Sequence, residues 1–195
     1  MKKRNMPPVM ILGVCLVLIS LCLFLGFQIR QEVGVRQCRR ILSDIEAVLP
    51  DETAGVPGLQ TNPGMPMLEM EGTDYVAILD IPSFGLTLPV ADLWDSNRLF
   101  RSPARFYGSA YDNTLILGGA DDPRQFGFCD KIQPDAQVTV TDMTGARFTY
   151  TVSRVERAKH AETAWLMDTG GALTLFCHDS YTMEYIAVRC DFAYE

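Results

Sequence analysis

Hydrophobic positions fall into three textures along this chain. Residues 7–27 carry no charge and are dominated by Val, Ile, Leu, Met, Cys and Phe, close to the roughly 20 residues that a helix needs to cross a bilayer core. Beyond them Ile41, Leu42, Ile45, Val48 and Leu49 recur at helical spacing among Arg, Asp and Glu. That spacing predicts an amphipathic helix over residues 28–50, stopped at Pro50, whose apolar stripe needs either the following domain or a second copy of the chain as a partner. Residues 51–67, rich in Gly, Pro and Asn without apolar periodicity, read as a linker.

From Leu68 the texture changes to short β-type runs separated by turn residues. Tyr75–Ile81, Leu86–Val90, Thr114–Leu117, Val138–Thr141, Phe148–Val155, Leu173–Phe176 and Tyr185–Phe192 each supply β-branched, aromatic or aliphatic residues, as strands do. So many strands in residues 68–195 predict one mainly β domain, a closed barrel or a sandwich. Asp142–Gly145 is a hairpin turn signal, with Gly145 free to take positive φ. Helical content in this half is expected only near Asp92–Asn97 and Glu162–Met167.

The charges around the first segment set an orientation. Lys2, Lys3 and Arg4 precede it, which favours a cytoplasmic N-terminus at residues 1–6 and a domain on the extracellular side, against a weaker bias from Arg30, Arg36, Arg39 and Arg40. The run ends Leu25-Gly26-Phe27-Gln28-Ile29-Arg30 with no A-x-A-like site, so a retained single-pass signal anchor is expected rather than a cleaved signal peptide. Cys15 follows Val14 and Cys22 follows Leu21, whereas lipid attachment wants a small residue before the cysteine.

Residues 28–195 hold all 24 acidic residues and 14 of the 17 basic ones, a net charge of −10. A nucleic-acid partner is not expected of such a surface. Of six cysteines, Cys38, Cys129, Cys177 and Cys190 lie beyond the anchor. Four thiols allow three pairings in an oxidising compartment, and spacing does not choose among them. Cys190 follows the alternation of the last strand and reads as a small core residue, and Cys38 stands where it could link two anchored chains.

The order of these pieces resembles the sortase family. Asp74-Tyr-Val-Ala-Ile-Leu-Asp-Ile-Pro82 followed by Gly85-Leu-Thr-Leu-Pro-Val90 looks like the family's opening strands. Asn113-Thr-Leu-Ile-Leu-Gly-Gly-Ala120 resembles the strand that delivers its catalytic His. Phe126-Gly127 and Gln137–Gly145 match the segments after it, and Leu173–Arg189 matches the last two strands. The similarity covers about residues 73–193 and is of the class B-like, clostridial type. It implies a closed eight-stranded β-barrel behind an N-terminal transmembrane helix, and a cysteine transpeptidase of the Gram-positive cell surface acting on sorting-signal peptides. Sortases use a Cys nucleophile, a His that shuttles the proton and an Arg that holds substrate and oxyanion. The chemistry needs all three, because a free thiol at neutral pH is mostly protonated and the developing oxyanion needs donors already in place.

Carried over position by position, all three residues differ. The family's Ala-Gly-His stands here as Gly118-Gly119-Ala120, its Leu-Thr-Leu-Phe-Thr-Cys as Leu173-Thr-Leu-Phe-Cys-His178, and Tyr185 occupies the place of the Arg. The ungapped register runs on into Val188-Arg189-Cys190. A catalytically degenerate sortase, a pseudoenzyme serving as a surface binding or scaffold module, is therefore the expected reading. The alternative is an active transpeptidase with Cys177 as nucleophile. Strand alternation turns Cys177 away from the face of His178, but a bulge could rotate it back, with His178 or His160 supplying the base. No cofactor is expected. The residues that could assemble a metal site are His178, Asp121, Asp122 and Asp179, carboxylates that in loops are usually just solvated. A hydrolase pairing His178 with Ser180 has no support from adjacency alone.

Overall fold

The computed structural model describes residues 8–58, 64–95, 98–159, 163–167 and 170–193. It begins with one uninterrupted helix, α1 (Pro8–Val48). Along residues 9–26 every described side chain of α1 is exposed, including Val9, Leu16, Leu23 and Phe24. Among the described residues no helix is long and apolar enough to cross a membrane. The expected span of residues 7–27 lies partly outside them.

The C-terminal part of α1 docks on the β domain. Ile41 and Ile45 are buried against Tyr75, Ile78, Ala91 and Ala104, with Leu42 and Leu49 at the margin. The apolar stripe thus finds its partner within the chain. The helix ends at Val48, just short of Pro50, whose ring disfavours helix in the residue before it.

Ten strands follow among the described residues: β1 (Thr53–Ala54), β2 (Leu68–Met70), β3 (Thr73–Ile81), β4 (Leu86–Ala91), β5 (Ala104–Tyr107), β6 (Leu115–Gly118), β7 (Gln137–Asp142), β8 (Ala146–Ala158), β9 (Leu173–His178) and β10 (Tyr185–Phe192). Neighbours run β8-β10-β9-β6-β5-β4-β3, and β7 pairs with both β3 and β8. That second pairing of β7 closes the sheet into an eight-stranded barrel. β1 and β2 are added outside the ring, on β8 and β3.

Three strands depart from the sequence expectation, the first of them β2, which at three residues is too short to show a period. β5 was not foreseen: Ala-Arg-Phe-Tyr is four residues between Pro103 and Gly108, and it meets β4 through a single bridge. Its antiparallel ladder to β6 holds it in place, a non-local pairing that no local pattern announces. β1 lies in the segment read as linker, where Thr53 and Gly55 donate to Gly145 and Arg147 carbonyls at 2.8 and 2.7 Å. At Asp92–Asn97 the described residues are bends and coil, not helix, with Ser96 and Asn97 outside the described set. The short helix α2 (Thr163–Met167) occupies the other expected position.

The barrel interior is filled from all sides by Val76, Leu79, Ile81, Leu115, Leu117, Phe126, Phe148, Tyr150, Leu173, Leu175 and Val188. Each such side chain contributes about 1.5–3 kcal/mol by leaving water. β3 is buried almost along its length because α1 covers the outer Tyr75 and Ile78 while Val76, Leu79 and Ile81 face inward. A strand covered on both faces reads as a continuous apolar run rather than an alternation. The β7–β8 turn is tied by Asp142, whose carboxylate accepts from Thr144 N–H at 2.8 Å, Thr144 Oγ1 at 2.7 Å and Ala146 N–H at 3.0 Å. Tyr111 donates to the same buried carboxylate. Gly145 has φ of 82° in that turn.

Candidate functional site

Strand alternation sorts the residues of β6, β9 and β10 onto two faces. Leu115, Leu117, Leu173, Leu175, Cys177, Ile186, Val188 and Cys190 join the interior. Ile116, Phe176 and Ala187 form an apolar cluster on the other face, bordered by Phe106, Trp165, Met167 and Tyr185. In register across β9 and β10, His178 stands opposite Tyr185, Phe176 opposite Ala187, and Thr174 opposite Arg189. The parallel β6 adds Ile116 beside Thr174 and Gly118 beside Phe176.

His178 and Tyr185 close the end of this outer face. Their ring centroids are 4.8 Å apart at an interplanar angle of 68°, an edge-to-face contact favoured by the ring quadrupoles. Ala120 stands at the same end of the sheet: Gly118 is in register with Phe176, Gly119 N–H donates to Phe176 O at 3.1 Å, and Ala120 follows as His178 follows Phe176 two residues on. The loops beyond are joined by Ser180 N–H donating to Asp121 Oδ2 at 2.9 Å. Ala120, His178 and Tyr185, far apart in sequence, therefore gather at one end of the face, whereas Cys177 is buried on the opposite side of its strand. His160 lies outside the described residues.

The nearby carboxylates have partners already. Asp122 accepts from the Arg124 backbone at 2.8 Å and its Nε at 3.1 Å. Burial pushes the Asp122 carboxyl up, but these Arg124 bonds outweigh it and hold the group below the usual range. Asp179 accepts from Tyr181 and Thr182 N–H at 2.8 and 3.1 Å and meets Arg157 at 3.6 Å. Its carboxyl is likewise lowered, first by the Thr182 backbone bond. Among the described residues no group of three or more His, Cys, Asp or Glu is placed to hold a metal ion.

Two features of this face had no place in the sequence reading. Arg189 is buried on β10 and makes four hydrogen bonds: Nε donates to Glu156 at 3.1 Å, one terminal nitrogen to Leu166 O at 2.9 Å and Thr174 Oγ1 at 3.0 Å, the other to Trp165 O at 2.6 Å. It clamps the C-terminal half of α2 onto the sheet, with its guanidinium 5.4 Å from the Trp165 ring centroid. Four residues from Tyr185 along an extended strand is about 13 Å, so this guanidinium serves α2 rather than the His178 end. The available signal was an Arg at an outward position within the apolar run 186–190.

The second feature is Trp94, from the β4–β5 connection. It stacks on Phe176 at 5.2 Å and 27° and meets Phe106 edge-on at 5.4 Å. Gly118 makes this approach feasible: a Cβ there would lie 2.1 Å from Trp94 and 2.7 Å from Phe176. The connection is anchored by the Arg105–Asp92 ion pair and by Asp92 N–H donating to Asp74 O at 2.8 Å. Chemically the face offers aromatic surface along its length and an imidazole beside a phenol at its end.

Solved structures of similar fold include sortase C1 from Streptococcus agalactiae, 21% identical over 66% of this chain and 72% of that one, with a TM-score of 0.56. Sortase C-1 from Actinomyces oris is 19% identical over 83% and 99%, with a TM-score of 0.55. A sortase D5 transpeptidase from Clostridium perfringens is 17% identical over 62% and 80%, with a TM-score of 0.52. No curated protein matches the chain significantly by sequence. The model of the sortase domain matches residues 79–189, more than half of the chain and including all of β6, β9 and the His178–Tyr185 end of the barrel, and on that ground the protein belongs to the sortase family.

Proposed function

We propose that this sortase-domain protein is catalytically degenerate and acts as a surface binding or scaffold module for sorting-signal-like peptides or the proteins that bear them. The observation that carries the reading is the His178–Tyr185 pair at facing positions of β9 and β10, positions that the sequence register equates with the family's thiol and guanidinium. Ala120 at the same end supplies no base. An imidazole beside a phenol has neither the thiolate needed for acyl transfer nor a fixed cation for the oxyanion.

Membrane attachment through residues 7–27 and an extracellular barrel belong to the same reading, supported by the uncharged composition of that segment and by the exposed apolar side chains along α1. A contiguous exposed apolar surface of that size calls for a non-aqueous partner. In domain terms, residues 1–6 are cytoplasmic, 7–27 the anchor, 28–50 the helix packed under the barrel, 51–67 a connection and 68–195 the barrel. The class B-like, clostridial-type resemblance rests on sequence pattern alone; the similar solved structures named above are of types C and D.

Incubating the protein with a sorting-signal peptide and an amine nucleophile, followed by mass spectrometry, tests the reading. Peptide binding without turnover or adduct is expected. An acyl adduct on Cys177 that disappears in Cys177→Ala would establish the alternative, an active transpeptidase built on Cys177.

A further inference from the structure

Among the described residues the first buried position of α1 is Gly34. A Cβ there would lie 3.2 Å from Phe100 O and 3.8 Å from the Phe100 ring, so the β4–β5 connection, residues 92–103, meets the helix at this point. Phe27, where the uncharged segment ends, is seven residues away, about 10 Å along a helix. The headgroup layer adds roughly 5–8 Å on each side of the hydrocarbon, and spanning helices tilt by about 20° on average. A chain anchored through residues 7–27 therefore holds the 98–101 turn at the outer boundary of the headgroups, within reach of an arginine side chain.

The connection presents both apolar and cationic groups. Leu93 is 75% and Phe100 38% exposed. Arg98 N–H donates to Asp95 O and Arg101 N–H to Arg98 O, each at 2.9 Å, which fixes the turn. The Arg98 side chain stays largely exposed although it meets Asp95 at 3.4 Å, and Arg101, also exposed, sets its guanidinium 5.3 Å from the Phe100 ring centroid. Arg36 and Arg39 are exposed on the adjoining turns of α1. Charge is segregated to this end of the domain. Residues 28–40 and 92–103 together hold six arginines and three carboxylates, a charge of +3, whereas the remainder of residues 28–195 carries −13. Of those carboxylates, Asp92 is paired with Arg105 and Asp95 with Arg98. An anionic bilayer repels the bulk of such a domain and attracts this end alone. The arginines of 28–40 also run against the charge bias that orients the anchor, so orientation does not account for them.

We infer that the β4–β5 connection is a second membrane contact, in which Arg98 and Arg101, with Arg36 and Arg39 of α1, hold anionic phospholipid headgroups while Leu93 and Phe100 settle among them. The inference rests on the membrane attachment proposed above and adds to it the side that the barrel turns towards the lipid. Held by the helix and by this turn, the domain is fixed over the bilayer at two places. The connection also carries Trp94, which stacks on Phe176, so the lipid contact is continuous with the face that ends at His178 and Tyr185.

The full chain is reconstituted into vesicles of phosphatidylcholine alone and of phosphatidylcholine with one-third phosphatidylglycerol, both containing lipid brominated near the headgroup. Flotation comes first and reads the anchor: a chain that floats with neither vesicle overturns the membrane attachment and this inference with it. The chain has two tryptophans, so Phe100→Trp in a Trp94→Phe, Trp165→Phe background makes position 100 the sole emitter. Bromine quenching at that position should be stronger with phosphatidylglycerol. The added quenching should fall about twofold or more in Arg98→Gln, Arg101→Gln and in high salt. Hydrogen exchange on the wild-type chain gives a reading free of substitutions, with peptides covering 93–101 exchanging more slowly when phosphatidylglycerol is present. Flotation with both vesicles but no quenching at position 100 and unchanged exchange over 93–101 overturns the contact and leaves the anchor standing. Quenching that is equal in the two vesicles overturns the recognition of anionic headgroups.

Discussion

His178 and Tyr185 face one another across the β9–β10 ladder with ring centroids 4.8 Å apart. Whatever stands at these two positions is held at contact distance by the backbone pairing, so exchanging side chains changes the chemistry of the site without changing its spacing.

Restoration follows from this. The triple variant Ala120→His, His178→Cys and Tyr185→Arg should acquire a thiol that takes an acyl group from a sorting-signal peptide. A base and an oxyanion donor together should make adduct formation at least about 100-fold faster than in His178→Cys alone. Rates of adduct formation by mass spectrometry check this. Equal rates in the triple and single variants would show that position 120 does not reach position 178.

Removing the Arg189 clamp should be costly. Arg189→Met keeps apolar volume but leaves the Trp165 and Leu166 carbonyls and Thr174 Oγ1 without this donor, and Glu156 with Arg154 alone. A loss of about 3 kcal/mol is expected, which corresponds to roughly 10 °C in Tm for a chain of this size. Urea unfolding measures it, and near-UV circular dichroism should show Trp165 losing its fixed environment.

Glu156 gives the clamp a pH dependence of definite sign. Its carboxyl is held below the ordinary range, first by the Arg154 hydrogen bond and then, against a burial penalty, by Arg189. A carboxylate whose folded pKa is depressed contributes stability above its unfolded value, near about 4.3, and loses it as pH falls through the lower folded value. Stability measured from pH 6 down to pH 3 should therefore fall on acidification. Glu156→Gln should flatten part of that slope, while an unchanged slope would assign acid sensitivity elsewhere, to Asp122 and Asp179.

Gly118 and Trp94 should behave as one unit. Gly118→Ala places a Cβ 2.1 Å from the Trp94 ring and should cost about 1–3 kcal/mol by displacing it, with a red shift in tryptophan emission. In a Trp94→Ala background the same change should cost measurably less, leaving only the Phe176 contact at 2.7 Å to relax. Additive costs in the double-mutant cycle would argue against the coupling.

The legible and illegible parts of this molecule separate by how far apart in sequence the determining residues lie. Leu173-Thr-Leu-Phe-Cys-His178 could be read as a strand with Cys177 and His178 on opposite sides, because alternation is a property of one extended segment. The amphipathic stripe of Ile41 and Ile45 was equally plain, but its partner was not: either the domain or a second chain would satisfy the same pattern. β5 escaped notice because four residues with one arginine carry too little periodicity to stand out. Arg189 showed as a register mark and not as a clamp, since its acceptors come from α2, β8 and β9, brought together only when the barrel closes.

By itself, the sequence determined the strand-rich class, the sortase resemblance and the identities at positions 120, 178 and 185, all of which rest on local alternation and on order along the chain. Tertiary structure decided that β7 closes the barrel, that α1 docks on β3 and β4, that Trp94 lies over Gly118, and that Arg189 clamps α2 to the sheet. These depend on inter-strand register and on side chains meeting across dozens of residues. The free energy of such contacts is realised only after the chain has folded back on itself, so no single segment carries their record.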